Sequence, residues 1–196
     1  MSINSVTVFC GASLGHQDIY QKAAIELGVF FAKNNIDLIY GAGKIGLMGV
    51  IANAVLKENG QVIGVIPELL KREEVVHPEI TKTILTKTMS ERKFIMSKMT
   101  DAYIALPGGF GTLDELFEAL TLQQLYIEKK PVGILNVNGF FDPLIQQLTL
   151  MIEEGFLKLK NREMLIIDAS VEGLMKKLNT YQAPEANNII DKVVKK

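Results

Sequence analysis

The chain of 196 residues has one cysteine, two histidines and no tryptophan, and its 21 Lys and Arg nearly cancel its 22 Asp and Glu. Each shortage excludes something. A lone Cys10 forbids an intrachain disulfide, and the start MSINSVTVFC has neither the basic n-region nor the long apolar h-region of a signal peptide, so the sequence reads as cytoplasmic. His16, His77 and that single thiol are too few for a zinc site or a Cys–His dyad, and no metal or cofactor is expected. A net charge of −1 supplies no global basic field, which disfavours nucleic-acid binding even though Lys192, Lys195 and Lys196 make a weakly basic tail. Apolar stretches such as residues 27–32 fall far short of the ~20 residues a membrane helix needs, so no membrane partner is expected either.

What is present is an ordinary globular balance, 48% hydrophobic and 22% charged, on a length that suits one domain better than two. Short β-branched runs alternate with longer amphipathic ones. Strands are predicted at residues 6–10 (VTVFC), 37–40 (DLIY), 61–66 (QVIGVI), 102–106 (AYIAL), 132–135 and 164–167, with a short one at 83–85. Helices are predicted at 18–33, 47–58, 89–99, 112–126, 141–154 and 171–179, and the charged, proline-containing stretch 68–81 reads as a loop. Such alternation implies a single α/β domain over residues 1–180, a Rossmann-like parallel sheet with helices on both faces, followed by a tail at 181–196.

Ligands of such sheets collect beyond the carboxyl ends of the strands, and three of these ends are glycine-rich. They carry Gly11 and Ser13 after the first strand, Gly41, Gly43, Gly46 and Gly49 after the second, and Gly108, Gly109, Phe110, Gly111 and Thr112 after the fourth long strand. The second loop fits G-x-G-x-x-G, with Glu68 at about the ~20-residue distance of a ribose contact, but it follows the second strand; dinucleotide binding and plain tight turns both stay open. No Walker-type G-x-x-x-x-G-K-[ST] occurs. The third loop leads into a helix whose free N–H groups would suit a phosphate. Thr112 and Glu115 also spell the capping box T-x-x-E, so Glu115 reads equally as a helix cap and as a catalytic carboxylate.

In the helix 89–99, Met89, Arg92, Met96 and Met99 share one stripe, and Arg92 stands where an apolar residue belongs. A guanidinium on an inward stripe needs an anion, structural or bound. Lys93 projects about 100° away and reaches either the same mouth or solvent.

The run PGGFGTLDE at residues 107–115 resembles the PGGxGTxxE motif of the LOG (Lonely Guy) family of cytokinin riboside 5′-monophosphate phosphoribohydrolases. Ser90-Glu91-Arg92-Lys93 resembles the family's upstream Arg-Lys element, and GAGKIGLMG and VFCGAS resemble its GGGxxGLMG and VFCGSS segments. The likeness runs from about residue 6 to 174. It implies a Rossmann-like, usually dimeric enzyme that splits the N-glycosidic bond of a purine nucleoside 5′-monophosphate into free base and ribose 5-phosphate. It further implies Arg92 and Glu115 as the catalytic pair. Glu74, Lys93, Met89, Gly108 to Thr112, Thr121 and the glycine-loop residues Gly11, Ser13, Gly43 and Gly46 are the implied substrate contacts. Ala42 and Lys44 depart from the family pattern, at positions where glycine and a small polar residue are usual.

The bond's chemistry asks for a carboxylate near C1′, because cleavage builds an oxocarbenium-like cation. Glu115, kept ionised by the helix N-terminus, is expected to stabilise that cation and to orient or deprotonate water, with Arg92 clamping the substrate. A non-catalytic nucleotide or cofactor carrier on the same fold is the competing reading. Leu113, Leu116, Phe117, Leu120, Leu125 and Tyr126 give the helix after the PGG motif apolar surface enough for a dimer contact, or for burial alone. The label lysine decarboxylase, which some family members carry, finds no lysine here that can be singled out for a Schiff base.

Overall fold

Seven short runs lie side by side, and the inner ones, rich in Val, Ile and Leu, are buried on both faces, the pattern of strands covered above and below, while the run at Lys82–Thr86 is mostly exposed. The computed structural model describes residues 2–71 and 76–183. In chain order the elements are β1 (Ser5–Phe9), α1 (Asp18–Lys33), β2 (Asp37–Tyr40), α2 (Gly46–Lys57), β3 (Val62–Pro67), β4 (Lys82–Thr86), α3 (Met89–Met99), β5 (Ala102–Ala105), α4 (Phe110–Gln124), β6 (Val132–Leu135), α5 (Asp142–Glu153), α6 (Leu159–Arg162), β7 (Leu165–Asp168) and α7 (Val171–Thr180). The sheet order is β4-β3-β2-β1-β5-β6-β7, and every pairing is parallel. This is the single Rossmann-like α/β domain that the alternation predicts.

One core packs α1, α2 and α7 against one face of the sheet, through residues such as Leu27, Phe31, Ile51 and Leu174. The other packs α3, α4 and α5 against the opposite face, through Met96, Leu116, Phe141 and Leu148. The chain leaves β1 toward β2 and leaves β5 toward β6, so the two adjacent strands send their connections in opposite directions. A crevice opens above this switch point. Its two lips are joined where the Gly11 amide donates to the Pro107 carbonyl at 3.0 Å.

Three local expectations are corrected. The helix after the PGG motif begins at Phe110 with Gly109 as N-cap, so Thr112 lies inside the first turn and caps nothing. The T-x-x-E box is used one helix earlier instead: Thr88 Oγ1 accepts from the Glu91 amide at 3.1 Å, and Glu91 Oε2 accepts from the Lys87 amide at 2.7 Å. The stretch read as a loop up to residue 81 returns to the second glycine loop, where Val76 and Gly43 form an antiparallel bridge, and β4 is longer than expected. Finally, a 3₁₀ turn at Val137–Gly139 and the four-residue α6 were not predicted, both being too short to show a period.

Of the predicted tail only residues 181–183 are described, and Tyr181 is tied down, its hydroxyl accepting from Gln123 Nε2 at 2.8 Å. Glu74 and the three terminal lysines lie outside the described residues. No helix among the described residues is long and apolar enough to cross a membrane.

Candidate active site

The crevice above β1 and β5 is a cleft of about 620 Å³. Its lining includes all three glycine loops, through Gly11, Gly41, Gly108, Gly109 and Gly111, together with Ser13, Met89, Arg92, Thr112 and Glu115. A volume of that order accommodates a mononucleotide.

Two glycines let the loops close on one another. Gly46, at φ +63, passes so near the Ala12 carbonyl carbon that a Cβ there would stand 2.1 Å from it. A Cβ on Gly108 would meet Thr112 Oγ1 at 2.1 Å and the Gly11 amide nitrogen at 2.9 Å. Neither position has room for any other residue. Gly109 and Gly111, by contrast, have open space where a side chain would point, and both line the cleft.

α4 enters the cleft with its amino end. No side chain caps it, and Gly109 as N-cap leaves the amides of Phe110, Gly111 and Thr112 without helical partners, aimed with the positive end of the helix dipole. Such an end receives phosphate or carboxylate.

Arg92 reaches the same space from α3. It is only 9% exposed. Its Nε donates to the Val65 carbonyl at 3.0 Å, and its Nη1 forms an ion pair with Glu115 Oε1 at 3.0 Å. The anion required by the inward stripe is thus Glu115. Nη2 has no hydrogen bond among the described residues and lies against Gly41, where a Cβ would meet it at 2.5 Å.

Glu115 occupies the second turn of α4, too deep to serve as a cap or to be governed by the helix end. Burial pushes its carboxyl above the ordinary glutamate range, and Arg92 and then Lys93 pull it back, with Asp114 and Glu118 adding to the rise. The helix end expected to keep it ionised lies a turn away, and the charges that favour its ionised form are those of Arg92 and Lys93, against a net rise that comes first from burial. Cys10, at the end of β1, is pushed far up by burial and further by Glu115, so its thiol stays protonated and is no nucleophile.

Several expected contacts lie elsewhere. Lys93 is absent from the cleft wall and pairs with Asp114 at 2.7 Å and Glu118 at 2.5 Å. Thr121 is exposed on α4, its hydroxyl donating to the Phe117 carbonyl at 2.6 Å. The Phe110 side chain is 95% exposed, and its contribution to the cleft is its backbone amide. Gly43 and Gly46 shape the second loop from behind the cleft wall. Ala42 in that loop holds φ +66, a conformation that explains why glycine is usual there.

Conversely, Tyr20 and Phe140 line the cleft without having been singled out, as an edge-to-face pair with ring centroids 5.8 Å apart. Phe140 follows the end of β6, so the strand-end rule could have found it. Tyr20 comes from the first turn of α1, and only the tertiary fold brings it in. Gly41 also went unremarked as a contact, although it directly follows β2.

Comparison with known proteins agrees with this architecture. A family model described as "Possible lysine decarboxylase" matches residues 48–178. The chain is 42% identical over 188 residues to the probable cytokinin riboside 5′-monophosphate phosphoribohydrolase LOGL2 of Oryza sativa subsp. japonica, covering 96% of this chain and 77% of that one. It is 45% identical over 176 residues to the cytokinin riboside 5′-monophosphate phosphoribohydrolase LOG1 of Arabidopsis thaliana, covering 90% and 83%. The molybdenum cofactor binding protein of Rippkaea orientalis superposes with a TM-score of 0.68 at 24% identity, covering 92% of this chain and 98% of that one, a likeness of fold alone. Among the described residues no lysine lines the cleft, so a pyridoxal phosphate Schiff base finds no partner there and the residues do not fit that cofactor. With two-fifths of its residues identical to proteins that span nearly its whole length, the chain belongs to the LOG family of cytokinin riboside 5′-monophosphate phosphoribohydrolases.

Proposed function

We propose that the protein hydrolyses the N-glycosidic bond of purine nucleoside 5′-monophosphates of the cytokinin type, releasing the free base and ribose 5-phosphate. The observation that carries this reading is the buried Arg92–Glu115 pair facing a mononucleotide-sized cleft beside an uncapped helix end. The 5′-phosphate is held by the amides of Phe110, Gly111 and Thr112, with Gly109 and Gly111 leaving room for its oxygens. C1′ then stands near Glu115. As the C1′–N9 bond breaks, its electron pair leaves with the purine, and the carboxylate stabilises the cation that grows on the ribose. Water adds to C1′, Glu115 accepts the proton it sheds, and that same proton passes on to the purine anion, so the neutral base departs and the carboxylate is restored. Arg92 fixes the carboxylate through Nη1 and turns Nη2 toward the ligand, a positioning contribution.

The enzyme works in the cytoplasm as a homodimer. Phe94 on α3 and Leu125 and Ile127 at the end of α4 are 61%, 54% and 66% exposed, and they supply an apolar face for a second copy. Light scattering on the pure protein checks the mass.

The test of function is chromatography of products after incubation with AMP, with isopentenyladenosine monophosphate and with the corresponding nucleosides. Free base and ribose 5-phosphate from the monophosphates alone are expected. Nucleotide binding without any product would overturn the reading in favour of a carrier.

A further inference from the structure

One residue of the second glycine loop stands in a conformation that its side chain opposes. Ala42 holds φ +66, a left-handed turn that a residue with a Cβ seldom adopts. The support for that turn comes from the segment after β3. The His77 amide donates to the Ala42 carbonyl at 2.9 Å, and beside it Val76 and Gly43 form their antiparallel bridge.

The buried imidazole of His77 fixes this segment in turn. Its Nδ1 accepts from the Glu79 amide at 3.3 Å, so its Nε2 donates to Asn53 Oδ1 of α2 at 3.0 Å. Because α2 begins at Gly46, one side chain ties residues 76–81 to the helix that grows out of the glycine loop. The far end of the segment is anchored separately. Thr81 Oγ1 accepts from the Val62 amide at 3.0 Å, and Ile80 crowds Gly64, where a Cβ would stand 2.6 Å from both Ile80 Cδ1 and Ala42 Cβ. Loss of the imidazole therefore frees the end of the segment that props Ala42 and leaves the β3 end in place.

The other side of the same loop is cleft wall. Gly41 lines the cleft, and a Cβ on it would stand 2.5 Å from Arg92 Nη2 and 3.2 Å from Met48 Sδ. His77 is absent from that wall. Gly41 and Ala42 share a peptide plane, so a turn that relaxes at Ala42 carries the Gly41 carbonyl with it and alters the gap in front of Arg92. Resting on the reading of the cleft as a nucleotide site, we propose that His77 is a positioning residue for nucleotide binding. It clasps residues 76–81 onto the second glycine loop and holds Ala42 in the left-handed turn that sets Gly41 against Arg92.

The experiment compares KM and kcat for isopentenyladenosine monophosphate in His77→Ala, Ala42→Gly, the double variant and the unaltered protein. His77→Ala is expected to raise KM about fivefold or more, the factor that one unsupported left-handed residue is worth. Its kcat should change less than about twofold, because the Arg92–Glu115 pair is untouched. Ala42→Gly alone should change neither, since glycine takes the turn without strain, and added to His77→Ala it should restore KM, a coupling that a purely structural histidine would not show. If His77→Ala does not fold, Asn53→Ala, which removes the acceptor from an exposed position of α2, is measured in its place with the same rescue. A lower melting temperature with KM unmoved would make the clasp a structural tie and overturn the proposal. A fall of kcat at constant KM would overturn it too, as would a rise of KM that Ala42→Gly leaves in place, the mark of an effect through the residues before Val76, where Glu74 stands. If the unaltered protein releases no base, the proposed function has failed, and the same comparison is made on the dissociation constant of AMP by calorimetry; absence of any AMP binding would overturn this inference as well.

Discussion

Arg92 Nη1 and Glu115 Oε1 stand 3.0 Å apart with their side chains only 11% and 12% exposed, so the cleft is built around a desolvated ion pair. Such a pair is a poor source of stability, because the cost of removing two charges from water offsets most of their attraction. Its retention at the mouth of a mononucleotide-sized cleft is better explained by chemistry. The guanidinium favours the ionised form of a carboxylate in surroundings that oppose its charge, and in the proposed reaction that carboxylate faces the position where positive charge develops.

Replacing Glu115 by Gln is expected to lower kcat by about 10²-fold or more, since the isostere keeps the shape and loses both the charge and the proton acceptor. The measurement is ribose 5-phosphate release under single-turnover conditions. Because no cap is lost, helix α4 should remain folded, and circular dichroism should show an unchanged spectrum.

The pH profile carries a second expectation. Burial raises the Glu115 carboxyl above the ordinary value of 4.5, so kcat/KM should fall with acid through a value higher than that of a free glutamate. The stability contribution has the opposite slope. A folded state that binds this proton more tightly than the unfolded chain is favoured below pH 4.5 and loses that advantage as pH rises through the raised value. Denaturation midpoints of the unaltered enzyme and of Glu115→Gln across this window would expose the difference.

The glycines of the PGG motif should separate by experiment. At Gly108 an added methyl collides with Thr112 and the Gly11 backbone, and Gly108→Ala should cost about 1–3 kcal/mol of stability along with activity. At Gly111 the methyl meets nothing and improves helix propensity, by up to ~1 kcal/mol. Gly111→Ala should therefore keep or raise the melting temperature while increasing KM for monophosphates, because the new group occupies the phosphate's space.

A buried histidine away from the cleft makes the fold sensitive to mild acid. His77 is 5% exposed; its Nδ1 accepts from the Glu79 amide at 3.3 Å, so Nε2 carries the proton donated to Asn53 Oδ1 at 3.0 Å. Burial lowers its pKa below 6.5, Lys44 adds to the lowering, and Glu79 opposes it. The neutral ring's contribution to stability is present above pH 6.5 and is lost as pH falls through the depressed value. Urea midpoints should decline over that range, and His77→Gln should flatten the decline.

Much of this was legible in the sequence for identifiable reasons. The strands showed because apolar runs such as VTVFC have no other use in a chain of this composition, and Arg92 showed because it interrupts a stripe of methionines. Lys93 did not. Whether it meets solvent or a partner depends on how α3 and α4 are phased against each other, which no local pattern records. The local pattern left Glu115 open as cap or as catalytic carboxylate, because Thr112 and Glu115 have the spacing of a box that the fold instead uses at Thr88 and Glu91. Tyr20 and Phe140 come from opposite halves of the chain, and their meeting at the cleft is a product of tertiary structure.

The place of β1 in the middle of the sheet has a consequence for how the protein is made. Synthesis delivers β1 to β4 first, and until β5 emerges the strand destined for the centre is an open edge, apolar on both faces and offering unpaired backbone to any neighbour. A nascent chain halted there has the second glycine loop but neither α3 nor α4, so it can aggregate and cannot turn over a nucleotide. Function and protection of that edge arrive together, as β5 docks and brings the Pro107 carbonyl to the waiting amide of Gly11.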